Sequence, residues 1–379
     1  MSDPAPSHVE LLHLSGVRNH RETHLEPGRA PIVLLTGANG AGKTNILEAL
    51  SLLSVGRGLR NAPLSAMAAR DGEGGFAVAA RVSTDPGLPP LLVRTGTLAA
   101  RPERRRLSIN GAAAPLAELG AWLSVLWVTP AMDRLFADTA SARRRFLDRL
   151  ALALTPGHAR HAGCYEAAMR ARNRLLAADV PPDPDWLAAL EAEMAEHGAA
   201  VRTARAETVA LLGQYLDGLA AGPFPQPRLA LAGDAVAGLA ARLAASRAAD
   251  RAAGRATSGP HRDDLVVVHA DKDMPAALAS TGEQKALLLA IVLAHAGLVA
   301  ERTGRVPLLL LDEAAAHLDA ERRAALLERL LSLGGQSWLS GTDAGLFAAT
   351  GGRITRFEIA DGNAGTSAAA AGCGGHGTA

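Results

Sequence analysis

Eight consecutive residues, Gly37-Ala38-Asn39-Gly40-Ala41-Gly42-Lys43-Thr44, satisfy the spacing G-x-x-x-x-G-K-[ST]. Glycines at these positions let the backbone curl until its N–H groups point at an anion. A following helix adds the positive end of its dipole. In such a loop Lys43 is the cation for the β- and γ-phosphates of a nucleoside triphosphate, and Thr44 supplies a hydroxyl for Mg2+. The flanks agree: Ala30–Thr36 is a short apolar run of the kind that forms a buried strand, and Asn45–Leu53 has helical apolar spacing. Far along the chain, Leu308-Leu309-Leu310-Leu311 leads into Asp312-Glu313. Four leucines make a strand buried on both faces. At its end Asp312 is placed to bind Mg2+, and Glu313 to polarise the attacking water as general base. The expected catalytic set is therefore Lys43, Asp312 and Glu313, with Thr44 and Asp312 as the metal ligands.

A third element precedes that strand. Ser280-Thr281-Gly282-Glu283-Gln284 opens a long apolar segment, Glu283–Glu301. A serine hydroxyl, a flexible glycine and a helix N-terminus make an anion receptor without a lysine. The same letters also write an ordinary helix cap, with Glu three residues after Ser. Lying between the phosphate loop and the leucine strand, the pentapeptide resembles the S-x-G-[QE]-Q signature of ABC-type ATPases. That resemblance implies that the nucleotide is ATP, and that Ser280 and Gly282 reach the γ-phosphate held by a second copy. Two ATP molecules would then be sandwiched in a head-to-tail homodimer. Asp319, in Ala316-His317-Leu318-Asp319, stands where those proteins place their D-loop.

These motifs need elements to position them. The chain has 379 residues, of which 48% are hydrophobic, enough for a core without disulfide or metal staples. The two cysteines, Cys164 and Cys373, share no ligand spacing, which fits a reducing cytoplasm. Neither a signal peptide nor an uninterrupted apolar span is expected, so no membrane association is expected either. Residues 1–130 alternate like short strands around one helix: His8–Leu14, Thr23–Glu26, Phe76–Val82, Leu91–Thr97 and Leu107–Asn110. Residues 131–255 are long Ala/Leu/Arg/Glu segments broken at Thr155-Pro156-Gly157, Pro181–Pro184 and Gly222–Pro227, and read as three or four inserted helices. Residues 256–361 return to strands and helices, and the Gly/Ala-rich residues 362–379 read as a disordered tail. The expected fold is α/β: a P-loop ABC-type ATPase head with an antiparallel β subdomain and an inserted α-helical domain.

The net charge of +1 does not announce a nucleic-acid binder, but arginines cluster at Arg101, Arg104, Arg105 and Arg106 and at Arg143, Arg144, Arg145 and Arg149. Such clusters make either a local positive field or a solvated face.

Several further stretches resemble the RecF family. These are Gly16-Val17-Arg18-Asn19-His20, Gly56-Arg57-Gly58-Leu59-Arg60, Thr129-Pro130 followed by Arg143-Arg144-Arg145-Phe146-Leu147-Asp148, and Ser258-Gly259-Pro260-His261-Arg262-Asp263-Asp264. They run in the family's order from about residue 10 to residue 360. The resemblance implies a DNA-repair ATPase that clamps DNA when ATP-bound and dimeric and releases it after hydrolysis. It would act near single-strand gaps with RecO and RecR, supporting recombinase loading and the SOS response. It also puts His261 and Arg262 near the nucleotide or at a structural corner, and Arg18 near the adenine or α-phosphate or on the surface. Two ABC features are missing. No glutamine precedes Gln214, and Ser340-Gly341-Thr342-Asp343 carries no histidine. Slow hydrolysis is expected, and a transporter ATPase subunit, which needs both, is disfavoured. About 120 residues of broken helices cannot make the long coiled coil of an SMC or RecN-like protein. Too few residues follow Asp319 for the metal-binding domain of an OLD-type nuclease.

Overall fold

Alternation of apolar and polar residues in the first third of the chain builds a sheet with one buried face. The computed structural model describes residues 4–85, 87–180, 182–234, 236–316, 318–341 and 354–366. β1 (His8–Val17) and β2 (His20–Leu25) form a hairpin, β3 (Ile32–Thr36) runs into the glycine-rich loop, and α1 (Lys43–Ser51) leaves it. Then come β4 (Phe76–Ser83), β5 (Leu91–Leu98), β6 (Arg101–Ile109), the short β7 (Ala112–Ala113), α2 (Leu119–Trp122) and β8 (Val125–Val128). Six of these strands make an antiparallel sheet in the order β2-β1-β4-β5-β6-β7. Val78, Ala80, Val82, Val93 and Leu107 are buried on its inner face.

β6 begins six residues earlier than the expected strand at Leu107, because the arginine cluster is itself strand. Arg105 points inward. It donates to Ser54 O at 3.0 Å, Gly56 O at 2.8 Å, Thr95 Oγ1 at 2.8 Å and also Leu52 O. Burial lowers its pKa to about 10. Consecutive charges hid the two-residue period.

From Ala131 the chain forms a second compact unit that ends at Thr303, and the first unit resumes at Gly304. The second unit holds α3 (Ala140–Leu154), α4 (His158–Ala177), α5 (Pro184–Asp217), β9 (Pro227–Ala232), α6 (Leu239–Ala245), α7 (Arg247–Ala253), β10 (Asp264–His269), β11 (Met274–Pro275) and α8 (Thr281–Thr303). The expected boundary at residues 255/256 thus falls inside this unit. The physical reason is pairing: β10 hydrogen-bonds along its whole length to β9, from Asp264↔Ala232 to His269↔Pro227, which ties the chain after residue 255 to the helices before it.

Asp183 caps α5, accepting from Asp185 N at 2.8 Å, and Pro184 fits the first turn, where no N–H is needed. Tyr165, Ala168, Leu190, Met194, Leu239 and Leu243 form an apolar cluster joining α4, α5 and α6. Beside it, Arg172 is completely buried and donates to Glu191 at 2.9 Å, Asp250 at 2.8 Å and Leu243 O at 2.7 Å. Among the described residues, α8 is the one helix long and apolar enough to cross a membrane, and 78% of its apolar window is buried within the protein, as in a core helix.

The first unit is completed by β12 (Leu308–Leu311), α9 (Ala320–Leu333), β13 (Ser337–Ser340), β14 (Ile354–Ala360) and β15 (Asn363–Thr366). Its second sheet has the order β15-β14-β3-β13-β12-β8, parallel throughout except for β15. All four leucines of β12 are buried, as expected for a strand flanked on both edges and both faces. Residues 363–366 correct the expected tail. Asp361 and Gly362 have φ of 46° and 77°, the paired left-handed conformations of a two-residue hairpin turn, and β15 returns along β14. The remainder of the tail lies outside the described residues.

Candidate nucleotide site

Strand order brings the first unit's chemistry together. β13 lies between β3 and β12, in register from Ser337↔Ile32 to Ser340↔Leu35 on one side and Leu311↔Leu339 on the other. Parallel strands end on the same side. The glycine-rich loop after β3, Asp312-Glu313 after β12 and Ser340 at the end of β13 therefore share one edge, two strand spacings or about 10 Å wide.

The loop is shaped by backbone that side chains would obstruct. Gly37 has φ of 139°, and a Cβ there would stand 2.2 Å from Ile359 O of β14. Lys43 is almost buried and folds back over the loop, donating to Gly37 O at 2.7 Å and Ala38 O at 2.8 Å. These carbonyls hold the ammonium where phosphate oxygens would replace them. A cleft of about 230 Å³ opens beside it, lined by Asn39, Gly40, Gly42, Lys43, Thr44, Asn45, Arg60 and Glu313. Gly37, Ala38 and Ala41 form the rest of the loop's curve.

Thr44 Oγ1 donates to the Asp312 carboxylate, 2.9 and 3.1 Å from its two oxygens. A hydroxyl and a carboxylate in contact at the loop are hard oxygen donors, and fit Mg2+. Ser340, which sequence reasoning missed, links the two acids. Its Oγ donates to Asp312 Oδ1 at 2.6 Å and accepts from Glu313 N at 3.0 Å. Glu313 has φ of 50°, a left-handed conformation that costs a non-glycine residue about 1–3 kcal/mol and turns the chain sharply after the strand. The Ser340 hydroxyl fixes that turn and so sets where the Glu313 side chain emerges. A lone serine at a strand end carries no signal of this in sequence.

A second layer supports the loop. Asn19 Nδ2 donates to Ala41 O at 3.0 Å, and Asn45 Nδ2 donates to Asn19 Oδ1 at 2.7 Å. His20 is fully buried, with Nε2 3.0 Å from Gly42 O and Nδ1 2.8 Å from Gly362 O, and burial holds its pKa below the usual histidine value. Arg18 does not face the cleft as an adenine or α-phosphate contact. It forms a two-pronged ion pair with Glu48, Nε–Oε2 3.0 Å and Nη2–Oε1 2.9 Å, and donates to Ala66 O at 2.7 Å. Arg60 instead lines the cleft, bonded to Glu48 at 2.8 Å and Asn45 at 2.9 Å. Sequence reasoning also missed Glu48, a buried acid in α1 that fixes both arginines.

Ser280 and Gly282 lie in the second unit at the start of α8. Ser280 Oγ and N both donate to Glu283 Oε2, at 2.9 and 3.0 Å, and Glu283 N donates back to Ser280 Oγ at 3.4 Å, a reciprocal cap. An ion pair with Lys272, with further help from Ser280, holds the Glu283 carboxyl down at about 2. Asp319 caps α9, accepting from Arg322 N at 2.8 Å.

His261 takes the structural alternative. Tyr165 O–H donates to its Nδ1 at 2.6 Å, and its Nε2 donates to Ala256 O at 2.9 Å, so both nitrogens are spent within the second unit. Arg262 is exposed. The second arginine cluster is mostly committed internally. Arg143 pairs with Asp264 at 2.6 and 2.7 Å and Arg144 donates to Asp263 O at 2.8 Å, while burial lowers the pKa of Arg149 to about 9.

Residues 8–339 match the model of the RecF/RecN/SMC N-terminal domain. The DNA replication and repair protein RecF of Mesorhizobium japonicum is 48% identical over 379 residues, covering 96% of this chain and 98% of that one. The chain belongs to the RecF family. The RecF of Rhizobium meliloti is likewise 48% identical over 365 residues, covering 93% of this chain and 96% of its own. Among solved structures, the recombination mediator RecF-ATPrS of the RecFOR pathway superposes with a TM-score of 0.83 at 22% identity, over 97% of this chain and all of that one. An Smc head domain from Pyrococcus furiosus superposes at 0.54 with 17% identity, covering 95% of this chain and 96% of its own. These likenesses make the fold that of a RecF and SMC-type ATPase head.

Proposed function

We propose that this RecF-family chain is an ATP-dependent DNA-binding protein of recombinational repair and replication-fork maintenance, working in the cytoplasm. The observation that carries the reading is the contact of Thr44, Asp312, Ser340 and Glu313 at the mouth of the glycine-rich loop. In the bound state the loop N–H groups and Lys43 hold the triphosphate, and Thr44 and Asp312 hold Mg2+. The ion supplies charge neutralisation at the phosphates. Glu313 orients and deprotonates the attacking water. Ser280 and Gly282 of a second copy close over the γ-phosphate, with Asp319 at the seam, so that ATP joins two heads. The joined heads clamp DNA near single-strand gaps and hydrolysis releases it, in cooperation with RecR and RecO, toward recombinase loading and the SOS response. RecF relatives carry the name of DNA replication and repair proteins, which supports the biological setting.

Binding of a fluorescent DNA duplex tests this reading. The wild-type chain retains duplex with a slowly hydrolysed ATP analogue and releases it with ADP, and Lys43→Ala abolishes the difference. Duplex binding that ignores the nucleotide would remove the clamp.

Ser340→Ala gives a finer test of the site. Residues that orient a metal-ligating or catalytic group are worth about 10–100-fold in activity. Turnover should fall by that factor with ATP affinity little changed, and Ser340→Thr should recover most of it. An equal loss of ATP affinity would make Ser340 a folding residue only.

A further inference from the structure

The outer face of the antiparallel sheet carries a charge pattern that the nucleotide site does not use. Arg81 on β4, Arg94 on β5, and Arg104 and Arg106 on β6 are all exposed. Register puts Arg81, Arg94 and Arg106 on one side, while Arg104 lies in the break of register between Gly96 and Leu98. Ala79 pairs with Arg94 while Arg81 pairs with Leu92, and Arg94 pairs with Ser108 while Gly96 pairs with Arg106. Arg81, Arg94 and Arg106 are thus successive diagonal neighbours across three strands, with Cα atoms about 7–8 Å apart.

Like charges at this spacing repel and cost stability unless an anion lies over them. The paired outward positions beside them on β4, β5 and β6 are Ala77, Ala79, Leu92, Gly96 and Ser108, and Glu22 of β2, which register puts on the same face, is taken up by His13. Among the described residues, these four guanidinium groups have no hydrogen-bonding or ionic partner. Some exposed arginines elsewhere in the protein are paired: Arg29 with Glu10 at 2.9 Å and Arg170 with Glu166 at 3.2 Å. Arg105, one residue from Arg104 and Arg106, points inward and spends its donors on backbone carbonyls.

We infer that this face is a binding surface for the phosphate backbone of duplex DNA, contacted by Arg81, Arg94 and Arg106. The inference rests on the DNA-binding reading above and gives it a place on the first unit. Guanidinium groups match phosphate oxygens in pairs. Phe76, the aromatic residue of β4, is buried on the opposite face, and β5 and β6 carry none. Bases would therefore find no stacking platform here, which favours duplex backbone over unpaired strands. Contacts to phosphate alone are independent of sequence and strongly dependent on salt.

The experiment is a salt titration of duplex binding by the full chain with an ATP analogue, between about 50 and 200 mM salt. Each lost phosphate contact removes about 0.9 from the slope of log affinity against log salt, so Arg94→Ala/Arg106→Ala should lower the slope by about 2. Affinity at the lower salt should fall at least about tenfold, with ATP affinity unchanged. Arg94→Lys/Arg106→Lys, which keeps the charges, should recover most of the slope. An unchanged slope in the alanine variant overturns the surface and leaves ATP-dependent DNA binding standing. Failure of the wild-type chain to bind duplex at all sinks the DNA reading and the surface with it. If the alanine variant loses anionic phosphatidylserine vesicles but holds duplex as the wild type does, the face belongs to a lipid surface and the inference is wrong.

Discussion

Glu313→Gln binds ATP and fails to turn it over. The substitution keeps the size of the side chain and the backbone bond from Glu313 N to Ser340 Oγ at 3.0 Å, so the left-handed turn and the Asp312 carboxylate stay in place. What it removes is the basic oxygen. General-base catalysis contributes about 10²–10⁴-fold to a hydrolytic step, and the steady-state rate should fall by that factor. The loop and Lys43 are untouched, so affinity for ATP should remain within about threefold of wild type, a difference below about 0.7 kcal/mol. The outcome separates two roles for the acid. If Glu313 only bound the nucleotide, affinity and rate would fall together. A rate within about threefold of wild type would remove Glu313 as the base, since a loss so far below the 10²-fold floor leaves nothing for it to contribute.

The second large effect is on stability, and concerns the helical unit. Arg172→Met removes a buried cation and leaves its two partners behind. Glu191 and Asp250 are 2% and 1% exposed. Arg172 bonds both at 2.8–2.9 Å, and both carboxyls are held below their ordinary pKa by hydrogen bonds and charge that outweigh burial. Arg247 also bonds Glu191, at 2.6 Å, and Ser246 and Thr257 bond Asp250 at 2.8 and 2.7 Å; these contacts do not involve Arg172, so its loss weakens the site rather than stripping it. Breaking a buried ion pair by removing one partner costs about 3–5 kcal/mol. For a unit of this size that corresponds to a fall in melting temperature of roughly 10 °C. Calorimetry checks it. The loss should be largest near neutral pH. The folded-state pKa of both acids is depressed, so their ionised forms stabilise the fold above the ordinary carboxylate range, and that contribution fades as pH falls below it. A loss under about 1 kcal/mol would mean that water replaces the guanidinium without cost and that the network is incidental.

Much of the nucleotide site was legible because its signals are local. A phosphate loop needs its glycines, lysine and threonine in one run, and a buried parallel strand needs four apolar residues in a row. What remained hidden depends on partners far apart in the chain. Ser340 matters because β13 falls between β3 and β12, a fact of sheet order that no window of sequence contains. Glu48 looks like one more polar residue of a short helix until Arg18 and Arg60 converge on it. The Asp361-Gly362 turn was readable in principle, but a Gly/Ala-rich flank outweighed it. Val125–Val128 is too short a run to mark a strand by itself, and it becomes one by pairing with β12. The arginines show the same limit from the other side. Two clusters of one composition divide into an inward Arg105 and outward neighbours, and into Arg143 and Arg144 tied to carboxylate and carbonyl groups.

The most direct test of the central claim is the mass in solution of Glu313→Gln, measured by light scattering with and without ATP. ATP-dependent closure predicts a monomer without nucleotide and a dimer with ATP, lost again when Ser280→Arg is added to block the start of α8. A monomer under both conditions, or a dimer indifferent to ATP and to Ser280→Arg, would contradict it.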